Sequence, residues 1–90
     1  MILNVVLSPL VAKWGSRRAQ RLLDAVVRNR KNCPFEDLER LLRAVGFVVR
    51  KPGGSHAIFK RGGVTISIPM RRPVREHYVD EVLTLLNSLD

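Results

Sequence analysis

Cysteine and histidine are scarce in this sequence, which has one Cys and two His. The single thiol, Cys33, forms neither a disulfide framework nor a Cys-x-x-Cys metal motif. The small number of Cys and His ligands also argues against a zinc site. We therefore expect no metal and no cofactor, and a reducing, cytoplasmic location.

Aromatic and acidic residues are also few. Aromatic residues make up 6% of the chain, which argues against a broad surface for base stacking. Eight Asp and Glu stand against sixteen Lys and Arg, giving a formal net charge of +8. Most of these cations are arginine, which binds phosphate in a bidentate way. This charge fits a nucleic-acid partner, an acidic protein partner or both, and an idle basic surface is the alternative.

Long apolar runs are limited to residues 1–15. This segment lacks the charged start of a signal peptide, is too short to span a bilayer, and is interrupted by Pro9 and Gly15. We therefore expect no membrane association. Three interpretations stay open for it: an extension, a strand or arm that packs on a partner, and an upstream start that the cell does not use. We treat residues 16–90 as one domain.

Three segments have the apolar spacing of amphipathic helices. The first follows Ser16, a suitable N-cap. The second has Pro34 at its first position and Gly46 as its left-handed stop. The third runs from about Arg75 to Leu89 and has a broad apolar face. The buried positions of the second helix are Phe35, Leu38, Leu41, Leu42 and Val45.

Three short strands are predicted between the second and third helices, at 47–51, 55–60 and 64–68. Gly62–Gly63 suits the two-residue loop of a hairpin, because glycine tolerates the positive φ of a primed turn. The order helix, helix, strand, strand, strand, helix with an antiparallel sheet predicts an α+β fold.

The hairpin loop fixes the register of the last two strands. It pairs Lys60 with Thr65, Phe59 with Ile66, Ile58 with Ser67, and Ala57 with Ile68. We expect helices to cover the apolar face, which carries Ala57, Phe59, Val64, Ile66 and Ile68. We expect the other face to be open and basic, with His56, Ile58, Lys60, Thr65 and Ser67 on it.

His56 is the strongest candidate for a catalytic residue. It begins a strand directly after the flexible turn Gly53–Gly54–Ser55. An imidazole transfers protons near neutral pH, and neighbouring cations can hold a phosphodiester beside it. RNA is the favoured substrate because its own 2′-hydroxyl can act as the nucleophile. An exposed strand histidine without a role is the alternative.

Several residues around His56 are candidates for binding RNA or its phosphates: Gly54, Ser55, Lys60, Arg50, Lys51, Arg71 and Arg72. Arg71 and Arg72 could equally meet an acidic partner protein. Arg17, Arg18 and Arg21 form a second basic patch with the same two interpretations. We expect His77 to pair locally with Asp80 and Glu81 on its helix, and Cys33 to be a structural residue.

The chain resembles HicA-type toxins, the small mRNA interferases of HicAB toxin–antitoxin pairs. The resemblance covers about residues 16–90 and matches the branch with an extra N-terminal helix. It rests on Phe35-Glu36-Asp37-Leu38 through Leu41-Leu42, Val45-Gly46-Phe47, Gly54-Ser55-His56, Ile58-Phe59, Val64-Thr65-Ile66-Ser67-Ile68-Pro69 and Pro73-Val74-Arg75-Glu76-His77-Tyr78-Val79. The helix–Gly–aromatic step followed by Gly-Ser-His and a hairpin is its most specific part.

The resemblance implies a double-stranded-RNA-binding-domain-like fold and ribosome-independent cleavage of mRNA. It also implies a HicB-type antitoxin partner, for which we expect an acidic contact surface. The catalytic histidine of the family falls on His56, and its Gly and Ser fall on Gly54 and Ser55. Many members have a second histidine where this chain has Ala57. A non-catalytic RNA-binding or partner-binding module on the same fold is the alternative function, and an antitoxin-like subunit is a weaker one.

Overall fold

The computed structural model describes residues 17–89, so the expectations for residues 1–15 and for Ser16 as an N-cap lie outside the described residues. The described elements confirm the predicted order. They are α1 (Arg17–Arg28), α2 (Phe35–Ala44), β1 (Val48–Arg50), β2 (His56–Arg61), β3 (Val64–Pro69) and α3 (Glu76–Ser88).

Helix α2 begins one residue later than predicted. Pro34 has extended backbone angles, φ −65° and ψ 143°, and is the N-cap rather than the first helical residue. Its carbonyl accepts a hydrogen bond from the N–H of Asp37 in the first turn at 3.1 Å. Proline has no backbone N–H, and none is needed at this position because an N–H here would have no partner within the helix.

Gly46 ends helix α2, as the sequence predicts. Its φ is +100°, in the left-handed region. The N–H of Gly46 donates to the carbonyl of Arg43 at 3.0 Å, and the N–H of Phe47 donates to that of Leu42 at 2.9 Å. These two bonds form a Schellman cap, and the buried Phe47 and Leu42 side chains supply its apolar part.

The sheet is antiparallel with the order β1-β2-β3, so β2 is the central strand. All four predicted pairs between β2 and β3 are confirmed. The pair Arg61–Val64 closes the Gly62–Gly63 loop, which extends β2 by one residue. Gly62 has φ +58° and Gly63 has no positive φ, which is the pattern of a type II′ turn. Strand β1 is shorter than predicted by one residue at each end, and at its start the N–H of Phe47 belongs to the α2 cap.

The helices cover one face of the sheet and form a single core with it. Phe35 of α2 packs on Phe59 of β2, with ring centroids 6.3 Å apart. Phe59 is fully buried, and burial of such a side chain stabilises the fold by roughly 1.5–3 kcal/mol. The helices contribute Leu23 and Val26 from α1, Leu38, Leu41 and Leu42 from α2, and Val79, Val82 and Leu86 from α3.

The connector between α1 and α2 is tied to the start of α3. The N–H of Val74 donates to the carbonyl of Cys33 at 2.8 Å. Arg30 forms ion pairs with Glu76 at 3.1 Å and with Asp80 at 3.5 Å. These contacts hold the connector between α1 and α2 against the start of α3. Within residues 17–89, no helix has the length and apolar character needed to cross a membrane.

Candidate functional site

His56 is exposed at the start of the central strand, on the face of the sheet that the helices leave open. Its neighbour Ala57 is fully buried in the core. Because successive side chains of a strand point to opposite faces, the burial of Ala57 places the His56 imidazole on the solvent side. This confirms the orientation predicted from the hairpin register.

The loop before His56 is held by two backbone hydrogen bonds. The N–H of Gly53, which has φ +98°, donates to the carbonyl of Lys51 at 2.7 Å. The N–H of Met70 donates to the carbonyl of Ser55 at 2.7 Å, which joins the loop to the end of β3. Gly54 is exposed, and a Cβ added to it would meet no atom within 4 Å.

Ser55 contacts the imidazole directly. Its hydroxyl oxygen lies 3.1 Å from Nδ1 of His56. This hydrogen bond occupies one ring nitrogen and leaves Nε2 for another partner. If Nδ1–H donates to Ser55, Nε2 has a free lone pair and can act as a base; if the hydroxyl donates to Nδ1, Nε2 carries the proton and can act as an acid.

The open face is cationic. The strand pairing places eight side chains on it: Val48, Arg50, His56, Ile58, Lys60, Thr65, Ser67 and Pro69. None of these is a carboxylate, and every Asp and Glu within residues 17–89 lies on a helix. A phosphodiester on this face would therefore meet cations and hydroxyls with no carboxylate of the sheet to repel it.

Arg50 and Lys60 are the two cations of this face that belong to strands. Arg50 is paired with Ile58 across β1 and β2, and Lys60 lies between Val48 and Thr65. Lys60 is four residues from His56 along β2, about 13 Å, and on the same face. Both cations are exposed, and neither forms an ion pair within the described part of the chain. Both are therefore available to a ligand.

Lys51 and Arg72 are held by helix α2. The Lys51 ammonium lies 3.0 Å from a carboxylate oxygen of Glu39 and 5.7 Å from the centroid of the Phe35 ring. Arg72 forms an ion pair with Glu36. Of the candidate cations predicted from the sequence, the structure thus places Arg50 and Lys60 on the face of His56, and directs Lys51 and Arg72 towards α2.

Glu39 accepts hydrogen bonds from two cations, Lys51 at 3.0 Å and Arg43 at 3.1 Å. Burial alone would raise the pKa of Glu39, but these two hydrogen bonds outweigh it and hold the pKa below its ordinary value. The carboxylate therefore stays charged in mildly acidic solution. The sequence does not identify this contact, because Glu39 and Lys51 are 12 residues apart and meet only through the packing of α2 against the sheet.

Arg71 follows β3, and its side chain is exposed. Its N–H donates to the carbonyl of Pro69 at 2.9 Å, which fixes the backbone at the end of the sheet where His56 lies. Pro69 is the β3 partner of His56, so Arg71 follows the cross-strand partner of His56 by two residues. Arg71 forms no ion pair with residues 17–89 and is also available to a ligand.

His77 and Cys33 lie away from this face. The expected local pairing of His77 is wrong: its ring packs on that of Tyr78, with centroids 4.2 Å apart, and Asp80 pairs with Arg30 instead. Cys33 is fully buried, as expected for a structural residue. Burial, and then the charge of Asp37, raise the pKa of the thiol from 9.0 to about 11. A thiol in that state is a poor nucleophile.

No cluster of three His, Cys, Asp or Glu within the described residues could hold a metal ion. The site has the composition of a general acid–base centre: one exposed imidazole, a hydroxyl bonded to it, and cations on the same face. This arrangement fits proton transfer next to a bound phosphodiester.

Comparison with known protein families gave a match. Residues 35–86, more than half of the chain, match the family described as "HicA toxin of bacterial toxin-antitoxin". No curated protein and no solved structure matches the chain. The matched residues include α2, the whole sheet and most of α3, and the order of elements is that of the double-stranded-RNA-binding-domain-like fold. HicA toxins are generally ribonucleases, and the family implies an RNA substrate and a cognate antitoxin. The chain therefore belongs to the HicA family of toxins from bacterial toxin–antitoxin systems.

Proposed function

We propose that this toxin is a cytoplasmic, ribosome-independent mRNA endoribonuclease in which His56 transfers protons and the open face holds the scissile phosphodiester. The observation that carries this proposal is the exposed His56 on a sheet face that has cations and no carboxylate. Its Nδ1 is engaged by Ser55, which leaves Nε2 for the substrate.

The reaction is a transesterification within the RNA. The 2′-oxygen attacks the adjacent phosphorus, the bond from phosphorus to the 5′-oxygen breaks, and a 2′,3′-cyclic phosphate and a 5′-hydroxyl form. Nε2 of His56 takes the proton from the 2′-hydroxyl or gives one to the leaving 5′-oxygen. Because the substrate supplies the nucleophile, we expect cleavage to continue in EDTA.

Cations are needed where negative charge grows on the phosphorane oxygens. Lys60 and Arg50, which are exposed on the open face, bind the RNA backbone, and Arg71 at the end of β3 binds a further phosphate. Ser55 and the exposed backbone amide of Gly54 complete the phosphate contacts. Lys51 and Arg72 contribute once RNA competes with Glu39 and Glu36 for them.

The antitoxin partner follows from the same charges. A HicB-type antitoxin with an acidic contact surface would neutralise Arg50, Lys60 and Arg71 and cover His56. Such a complex would exclude RNA by occupying the phosphate contacts. We expect association to weaken with added salt, because exposed charges are screened over about 8 Å at physiological ionic strength.

The two histidines provide a matched test, because His56 begins β2 on the open face and His77 lies on α3, in the helical layer. Purified His56→Ala and His77→Ala are compared with the wild type in cleavage of a labelled mRNA in EDTA. We expect His56→Ala to lose about 10²–10⁴-fold in rate, the usual contribution of a general acid or base, and His77→Ala to keep the wild-type rate. Thermal melting shows whether both variants stay folded. A His56→Ala protein that cleaves at the wild-type rate would remove His56 from the mechanism.

A non-catalytic RNA-binding module is the second candidate function. It is favoured by the single imidazole of the open face, which has no carboxylate or second histidine beside it to complete an acid–base pair within the described residues. A binding module would retard RNA in a gel and leave its length unchanged, whereas a nuclease would shorten it.

A further inference from the structure

A groove between helices α1 and α2 is lined by guanidinium groups. Its lining residues are Arg18 of α1 and Arg40, Arg43 and Ala44 of α2. Arg17 and Arg21, on the same half of α1, are exposed and add to the local positive charge. The groove lies in the helical layer, away from the open face of the sheet.

The groove keeps a net positive charge after its internal ion pairs are counted. Arg40 pairs with Asp37 at 3.3 Å and Arg43 with Glu39 at 3.1 Å, yet the two arginine side chains remain 58% and 56% exposed. Glu39 also binds Lys51, so its single charge is shared between two cations. Arg18 is exposed and forms no ion pair within residues 17–89.

Arg61 places a further cation at the end of α2. It is the last residue of β2, and its Nε lies 3.4 Å from the position that a Cβ on Gly46 would take, at the end of α2. Lys60 precedes it on the open face. Ala44, which lines the groove, is two residues before Gly46. Arg61 therefore adds a cation at the end of α2, on the helix-covered side of the strand end that carries Lys60.

We propose that the groove between α1 and α2 is a second phosphate-binding site, which holds the RNA backbone beyond the nucleotides on the open face. The inference rests on the proposed function, because it extends the path of the same RNA. Exposed arginines bind RNA phosphates without regard to sequence and release the counterions of the backbone. RNA is favoured over an acidic protein because an RNA backbone that leaves the open face at Lys60 meets a further cation, Arg61, at the end of α2.

Binding is measured in the His56→Ala background, which keeps the RNA intact. Single-stranded RNAs of about 4 and about 16 nucleotides are titrated at several salt concentrations. These lengths are the lower and upper limits of the binding-site sizes found for single domains that bind single strands. Arg18→Gln removes the arginine that has no ion pair within the described residues, and the triple variant Arg18→Gln/Arg40→Gln/Arg43→Gln removes all three guanidiniums. Arg28→Gln is the matched control, because it makes the same charge change about 15 Å further along α1.

We expect the triple variant to bind the long RNA about tenfold more weakly, and the slope of log K against log salt to fall by about 0.7 for each phosphate that the variant no longer binds. Arg18→Gln shows a smaller decrease in affinity. Binding of the short RNA is unchanged in both, and Arg28→Gln behaves like its parent. Thermal melting confirms that each variant is folded.

Two results would overturn the site. One is unchanged affinity and salt slope for the long RNA in both groove variants. The other is weaker binding to polyglutamate with unchanged binding to RNA, which would assign the groove to an acidic protein. If only the groove proposal is wrong, the His56→Ala parent still binds the short RNA. If the proposed function is wrong, the parent binds neither RNA, or His56→Ala cleaves RNA at the wild-type rate.

Discussion

The hydroxyl oxygen of Ser55 lies 3.1 Å from Nδ1 of His56, and the two residues are adjacent in the chain. The carbonyl of Ser55 accepts the N–H of Met70 at 2.7 Å, so its backbone is fixed by the end of β3. The imidazole is thus oriented by a hydroxyl whose own position the sheet determines. We therefore infer that Ser55 positions the imidazole for the proton transfer proposed for His56.

The first prediction concerns this hydrogen bond. We expect Ser55→Ala to lower kcat/KM for RNA cleavage by about fivefold, because a hydrogen bond of this kind contributes about 1 kcal/mol. The decrease should appear in kcat, because the hydroxyl orients the ring for proton transfer. Ser55→Thr keeps the hydroxyl and should restore kcat.

Ser88→Ala is the control for Ser55→Ala. It removes a hydroxyl that bonds the carbonyl of Leu85 at 2.8 Å, near the end of α3 and on another element. Its kcat and KM should match those of the wild type. If Ser55→Ala also leaves kcat unchanged, the hydroxyl does not position the ring.

The second prediction concerns the ion pair between Glu36 and Arg72. Glu36→Gln frees the guanidinium, so we expect tighter RNA binding and a salt slope that is steeper by about 0.7, the contribution of one added phosphate contact. Glu81→Gln is the matched control, since it makes the same change in net charge but breaks no ion pair within the described residues. Salt titrations of RNA binding compare the two. Equal effects of the two variants would show that net charge alone acts and that Arg72 does not contact RNA.

Much of the sheet follows from the sequence because local chemistry determines it. Gly62–Gly63 fixes the hairpin loop, and strict alternation then assigns each side chain of β2 and β3 to a face. The exposure of His56 follows from the same alternation, since Ala57 must be buried. Gly46 is likewise predictable as a helix stop, because its position requires a positive φ.

The ion pairs are not predictable in this way. The sequence predicts Lys51 and Arg72 as candidates for binding RNA phosphates, and only the packing of α2 on the sheet brings Glu39 and Glu36 to them. The same holds for Asp80, which has His77 within helical reach but pairs with Arg30 from a different segment. Ion pairs between segments depend on tertiary distance, and sequence spacing gives that distance only within one helix.

The third prediction concerns Gly46. Its φ of +100° is unfavourable for any residue with a side chain, and an added Cβ would lie 3.4 Å from Nε of Arg61. We expect Gly46→Ala to lower the free energy of unfolding by about 1–2 kcal/mol. For a domain of this size that corresponds to a fall in Tm of roughly 4–16 °C, measured by thermal denaturation.

Gly54→Ala is the control for Gly46→Ala. Gly54 has no positive φ, and a Cβ there would meet nothing within 4 Å. Its Tm should stay within the range of ordinary surface substitutions. Equal decreases in Tm in both variants would mean that glycine content, and not the left-handed conformation at the end of α2, sets the stability.

The fourth prediction uses the pKa of Cys33, which burial raises from 9.0 to about 11. Between these two values the unfolded chain releases the thiol proton while the folded chain keeps it. This thiol therefore lowers the free energy of unfolding as the pH rises from about 9 to about 11. Below pH 9 the thiol is protonated in both states, and the stability that it contributes is fully present. Cys33→Ala removes this contribution, so the stability of the wild type should fall more than that of the variant over that interval when urea unfolding is measured at each pH.

Alkylation by iodoacetamide tests the same burial at neutral pH. Because Cys33 is fully buried and its thiol is protonated, labelling of the folded protein should require opening of the core around α2 and Val74. The labelling rate should rise with urea in parallel with unfolding, and RNA cleavage by Cys33→Ala should equal that of the wild type wherever the variant is folded. Rapid labelling of the native protein, or a cleavage rate that falls while the variant stays folded, would contradict a purely structural thiol.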